Sequence, residues 1–197
     1  MNAQPTRIAD CAEVLPGYAL KARAEHAPEG THQVIMGKHV AEGLSYRYLP
    51  EHELRITPKG SLEKYLVREG DVLFVSRGSR NCAAVVESVP EPTVASATFY
   101  ILRSHDGIDP AWLAWCLNQP PIQARIARVR TGAGTPIIQR RIFAELTLPV
   151  PPLDIQRQLA ELGKLTMKER TLRQALLEQT ERLHRALGEK LLQQMTS

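Results

Sequence analysis

The sequence predicts an α+β fold, a globular domain of mixed strands and helices followed by one long C-terminal coiled-coil-type helix. Three observations carry that expectation. Short β-branched and apolar runs, broken by Pro and Gly, fill the first half of the chain. Helical signals follow without strict strand–helix alternation, which argues against a doubly wound parallel sheet. After Pro151-Pro152 no proline occurs as far as Met195, and leucines recur there at steps of mostly three, four or seven. The expected division is therefore a globular domain at 1–152 and a helix at 153–197. An apolar content of 43% is ample for a real core.

In chain order, Val34–Met36 reads as a strand closed by Gly37, and Leu44–Leu49 and Leu54–Thr57 as two more, with breaks at Pro50 and Pro58-Lys59-Gly60. Ser61–Leu66 suits a short turn of helix. Arg68-Glu69-Gly70-Asp71 reads as a tight turn feeding Val72–Ser76, a strand rich in β-branched residues. The loop Arg77–Asn81 and the strands Ala83–Val86 and Ala97–Leu102 follow. Asp109-Pro110 opens a helix, with the carboxylate as N-cap and proline where its missing donor costs nothing. That helix stops before Pro120-Pro121, and another spans about Ile122–Val129. Thr131–Pro136 is a Gly-Thr loop. Leu146, Leu148 and Val150 alternate as a half-buried strand does, and Pro149, Pro151 and Pro152 forbid any helix from crossing the corner. Asp154 is the expected N-cap of the last helix.

Along that helix, Leu159, Leu162, Leu165, Leu172, Leu176, Leu183, Leu187 and Leu191 form one stripe. Acid-first pairs at i,i+4, Glu169–Arg173 and Glu178–Arg182 among them, support the helix from its polar side. About 40 residues at 1.5 Å each make a rod of roughly 60 Å, whose stripe wants a partner helix. Glu169 and Gln179 interrupt the seam, which favours a short antiparallel coil or bundle over a regular zipper.

No catalytic pattern emerges. The phosphate-loop, dinucleotide, zinc-hydrolase and nucleophile-elbow motifs are all missing, and Asp71, Glu87 and Asp106 do not form the acid–acid–lysine group of metal-dependent nucleases. The expectation is a non-enzyme with no cofactor and no metal. Three widely spaced cysteines without a CxxC, no secretory signal and no membrane-spanning run predict a reduced, cytoplasmic protein.

Net charge is only +4, but its distribution is uneven. Pro110–Ala144 holds no acidic residue, while Arg125, Arg128, Arg130, Arg140 and Arg141 all fall within it. Arg77 and Arg80 add two more guanidiniums in the earlier loop. Arginine's planar fork suits phosphates and the guanine edge, and Asn81 and Gln139 carry the amide chemistry that reads adenine. Thr131, Gly132 and Thr135 let amides and hydroxyls approach a phosphate. The candidate DNA-binding set is thus Arg77, Arg80, Asn81, Arg128, Arg130, Thr131, Gly132, Thr135, Gln139 and Arg140. Trp112 and Trp115 read as core.

In order and spacing, several segments resemble one half of the specificity (S) subunit of type I restriction-modification systems. They are Thr6-Arg7-Ile8-Ala9-Asp10, Glu69–Gly78, Asp109-Pro110-Ala111-Trp112-Leu113, Gly134-Thr135, and Leu148–Leu153 with Ile155, Gln156 and Leu159. The resemblance implies a single target recognition domain and one of the family's long helices. It also implies a non-catalytic role in phage defence and double-stranded DNA as ligand. The implied protein partners are a DNA methyltransferase (modification) subunit and, in restriction-competent complexes, a motor-nuclease subunit. Full-length S subunits carry two such domains, so the resemblance leaves three readings: a natural half-S protein, a truncated gene product, or an S-like subunit of a related methylation-based defence system. The first leads, and is expected to form a homodimer through its helix and to read a palindromic site. The alternative is a protein-interaction adaptor of a defence complex that does not itself touch DNA.

Overall fold

The computed structural model describes residues 3–20, 26–40, 45–58, 60 and 62–196. In chain order the regular elements are β1 (Gln4–Arg7), α1 (Ile8–Cys11), β2 (Ala12–Pro16), β3 (His32–Ile35), β4 (Ser45–Arg47), β5 (Arg55–Ile56), β6 (Val72–Val75), β7 (Ala83–Ser88), β8 (Thr93–Ala95), β9 (Phe99–Ser104), α2 (Pro110–Leu117), α3 (Pro120–Arg128), α4 (Arg140–Glu145), β10 (Thr147–Val150) and α5 (Leu153–Thr196). The α+β expectation holds. Leu44 and Ser61, where an expected strand and turn begin, lie outside the described residues.

A five-stranded sheet in the order β2-β9-β6-β7-β4 forms the centre, with a three-stranded sheet β5-β3-β8 and the antiparallel pair β1–β10 beside it. The run Val72–Val75 reads as unbroken apolar because both faces of β6 are covered. Val72 and Phe74 face Trp112, Leu113, Leu117, Ile126 and Phe143, while Leu73 and Val75 face Ile35, Val40, Tyr46, Val67 and Ala95. Phe74 stacks on Phe143 with ring centroids 4.3 Å apart. Trp112 is fully buried and Trp115 packs against the same cluster, so both tryptophans are core.

Helix starts follow the proline rule. Asp109 caps α2 by accepting the Trp112 N–H at 2.9 Å, with Pro110 at the first position. Two prolines likewise open α3 at Pro120 rather than end its predecessor's loop, so this helix begins two residues ahead of expectation. At α5 the expectation needs correction: the helix starts at Leu153, which puts Asp154 inside the first turn, where its charge complements the helix dipole instead of capping.

Two buried polar groups tie the globule together. Asp71, 3% exposed, accepts from Arg103 through Nε at 3.0 Å and Nη2 at 2.9 Å, and from the Arg68 N–H at 2.9 Å. The fork raises the Arg103 guanidinium above its ordinary pKa, chiefly through the hydrogen bonds to Asp71. Asp71→Ala strands that guanidinium and an amide, and it is expected to cost about 3 kcal/mol in urea unfolding with an unchanged m value. Gln156, 1% exposed, accepts the Asp109 N–H at 2.8 Å and donates to Gly107 O at 3.0 Å and Pro151 O at 2.9 Å. It fastens the first turns of α5 to the start of α2.

His39 is buried and stacked on His52 at 4.8 Å, and its Nδ1 accepts the Met36 N–H at 3.2 Å. Burial, then the nearby His52 and Lys38, lowers its pKa to about 4. The folded state therefore refuses a proton that the unfolded state takes near its ordinary value of 6.5. Stability is complete above that value and falls as pH drops toward about 4, by up to roughly 3 kcal/mol. Unfolding titrations at pH 7 and pH 5 check this, and the difference should shrink in a His39→Gln variant.

The chain forms two compact units, Met1–Ala160 and Glu161–Ser197. The first takes in the opening turns of α5, where Leu159 packs against the cluster of Trp112 and Phe143 and Ala160 is buried in it. Leu159 is thus partly buried against the core, a correction to its place in the stripe left for a partner helix. In the second unit, Leu162, Leu165, Leu172, Leu176, Leu183, Leu187 and Leu191 lie between 49% and 66% exposed, with Leu177 and Leu192 beside them. Glu169 and Arg173 pair at 2.6 Å as expected. The Glu178 carboxylate accepts instead from Gln174 at 3.0 Å, and Arg182 reaches the Glu178 carbonyl. Among the described residues no helix is long and apolar enough to cross a membrane.

Candidate nucleic-acid interface

The loop after β6 and the loop after α3 are separated by some fifty positions of sequence, yet backbone pairing joins them. Ile137 and Thr131 exchange N–H···O bonds at 2.8 and 2.9 Å, which closes the Gly-Thr loop as a tight hairpin. Ile137 also bridges to Arg77, the Gly78 N–H donates to Pro136 O at 2.8 Å, and the Ile138 N–H donates to Ser76 O at 3.1 Å. Arg130 Nη1 donates to Ser79 O at 3.0 Å, and the Tyr100 hydroxyl to Ile138 O at 2.5 Å. Ser76 is itself anchored, its N–H and Oγ both donating to Thr98 O.

Glycine is required at two points of this junction. Gly78 has φ +99° and Gly132 φ +100°, in the left-handed region that side chains avoid. A Cβ on Gly132 would also stand 3.3 Å from Thr135 O. The result is a rigid base with an exposed tip at Thr131–Thr135.

Arg77, Arg80, Arg128, Arg140 and Gln139 are exposed, and Arg130 is half-buried. Burial raises the pKa of the Tyr100 phenol, while its contact with Ser76 and the charges of Arg77 and Arg140 pull the other way. Both guanidiniums therefore lie within electrostatic range of one phenol. Arg140 also donates to Val14 O at 2.9 Å, which fixes α4 against β2. Gln139 precedes α4 at its N-cap position without a side-chain cap bond.

Asn81 does not fit the reading role. It is 5% exposed, its side-chain amide donates to Val75 O at 2.9 Å, and its backbone carbonyl accepts from Gln123 Nε2 at 2.8 Å. The asparagine shapes the loop, and base contact would require breaking that buried bond. Arg125 is likewise committed, donating to the Thr147 side chain at 3.1 Å and to its carbonyl.

A groove of about 270 Å³ runs beside the arginine loop, lined among others by Lys38, Arg77, Ser79, Arg80 and Thr98. None of its described lining residues is acidic. It adjoins a cleft of about 540 Å³ that shares Lys38, Arg77 and Thr98 but is also lined by Glu51 and Glu53. Sequence reasoning missed Lys38, which lies far from both loops in the chain and has no arginine or second lysine beside it to mark it.

No protein-family model matches the chain. In sequence it is similar to the type I restriction enzyme MjaVIII specificity subunit of Methanocaldococcus jannaschii, 23% identical over 158 residues, which cover 79% of this chain and 34% of that protein. In fold it is similar to the type I restriction-modification S subunit from M. genitalium, with TM-score 0.55 and 16% identity over 82% of this chain and 38% of that one. The HsdS subunit from Thermoanaerobacter tengcongensis gives TM-score 0.63 and 17% identity, covering 88% of this chain and 40% of its own. A chain from a solved type I R-M system gives TM-score 0.65 and 19% identity, covering 93% and 43%. The chain thus spans about a third of the curated relative and about two-fifths of the solved chains.

Proposed function

We propose that this chain, a relative of the type I restriction-modification specificity subunits in sequence and in fold, reads one DNA half-site and lends that choice to a methyltransferase partner, with no catalysis of its own. The observation that carries the reading is the stitching, through Arg77 and Thr131–Ile137, of two arginine loops that themselves contain no acidic residue. Preorganised guanidiniums and hydroxyls cost little ordering entropy when they meet a duplex. Most of these groups position the backbone, and base readout falls to a minority, with Gln139 now the exposed amide in place of Asn81.

The helix supplies the second half of the proposal. A leucine stripe exposed over Leu162–Leu191 is unfavourable for a lone chain, and an identical stripe on a second copy covers it. Two-fold pairing then makes the DNA site palindromic, with a gap set by the helix. A motor-nuclease subunit joins this complex where one is encoded.

A gel-shift titration with random-sequence duplex, run in low and moderate salt, tests DNA contact against the adaptor alternative. Binding that weakens steeply with salt is expected. No binding in either buffer, with the methyltransferase present, contradicts the reading. Sedimentation tests pairing: a stable monomer at micromolar concentration, alone and with the methyltransferase, overturns the dimer.

A further inference from the structure

We infer that Lys38, at the corner after β3, completes with Arg77 and Arg80 a seat for a DNA backbone phosphate in the small groove beside the arginine loop. The inference rests on the DNA-reading proposal and adds a part of the chain remote from both loops. Lys38 and Arg77 are both exposed residues lining that groove, and Arg80, Ser79 and Thr98 line it too. Three cations around one concavity with no acid among its described lining residues focus a potential that a phosphate, rather than a base edge, answers. The positive φ of Gly78 leaves a wall without a side chain, where an added Cβ would meet nothing within 4 Å. The backbone there is open to close approach by a sugar-phosphate strand.

The neighbouring cleft argues the same way by contrast. It is larger, but Glu51 and Glu53 line it together with Met36 and Leu54. A phosphodiester entering it would meet carboxylates. The strand therefore keeps to the cationic side, and Lys38 and Arg77, which line both cavities, stand at the border.

Cys82 provides a native probe, since it is a half-buried residue lining the small groove. Cys11 and Cys116 are buried, with burial pushing their thiols up to about 11 and about 12, so alkylation reports on Cys82. The full-length chain is treated with iodoacetamide, with and without a mixed-sequence duplex of roughly 30 base pairs. Mass spectrometry then follows each cysteine. The seat predicts that duplex slows Cys82 alkylation severalfold. It also predicts that Lys38→Ala weakens duplex binding roughly tenfold, with the salt slope smaller by about 1, while Lys38→Arg restores both. If duplex binds and Arg77→Ala weakens it, but Cys82 reacts at an unchanged rate and Lys38→Ala binds normally, the seat is wrong and the DNA-reading proposal stands. Protection of Cys82 without any Lys38→Ala effect removes the lysine from the seat. If no duplex binds at all, the reading itself fails and the seat with it.

Discussion

Alanine at both Arg77 and Arg128 is expected to lower affinity for duplex DNA roughly a hundredfold near 0.1 M salt, whatever the sequence. Each phosphate contact carries a salt slope of about 0.9, so each lost contact is worth roughly tenfold at that salt and the slope falls by about 2. Both side chains are exposed, so neither substitution should disturb the core. Arg125→Ala is the control. It lies on the same helix as Arg128 but is spent on Thr147, so its loss should cost stability and leave the salt slope alone. Filter binding across a salt series reads both variants against the parent chain. An unchanged slope in the Arg77→Ala/Arg128→Ala protein would remove phosphate from the interface.

Leu176→Glu with Leu183→Glu should abolish self-association. Both leucines are more than half exposed in the chain by itself. In a two-fold pair each substitution acts twice, so four leucine side chains are lost from the seam. At about 1.5 kcal/mol or more apiece, that raises the dimer Kd by at least ~10,000-fold. Leu159→Ala is predicted to behave differently, because that residue packs in the globule: it should shift the thermal midpoint and leave the association constant unchanged. Sedimentation equilibrium on the three proteins separates seam from core.

Where the chain announced its own structure, the reason was local. The buried run Val72–Val75, the Asp109-Pro110 helix start and the proline corner before α5 each depend on neighbours in sequence, and each appears where expected to within a residue or two. The segments Gln4–Arg7 and Ala12–Pro16 are not β-branched runs bounded by turns. They become strands because β10 and β9, distant in sequence, offer them hydrogen-bonding edges. The arginine loops were legible as charge, but their fusion through Arg77 and Ile137 was not, since no local signal encodes a long-range bridge. The same gap explains Asn81, whose burial depends on Val75 and Gln123 rather than on its polar type. It also explains Leu159, since a helical stripe does not say where packing ends and exposure begins.

The most direct test of the proposed DNA reading is the methylome of a host carrying this gene and the methyltransferase proposed as its partner, compared with the same host lacking only this gene. The account predicts one palindromic, gapped motif methylated in the first and unmethylated in the second. Identical methylation in both strains would contradict it.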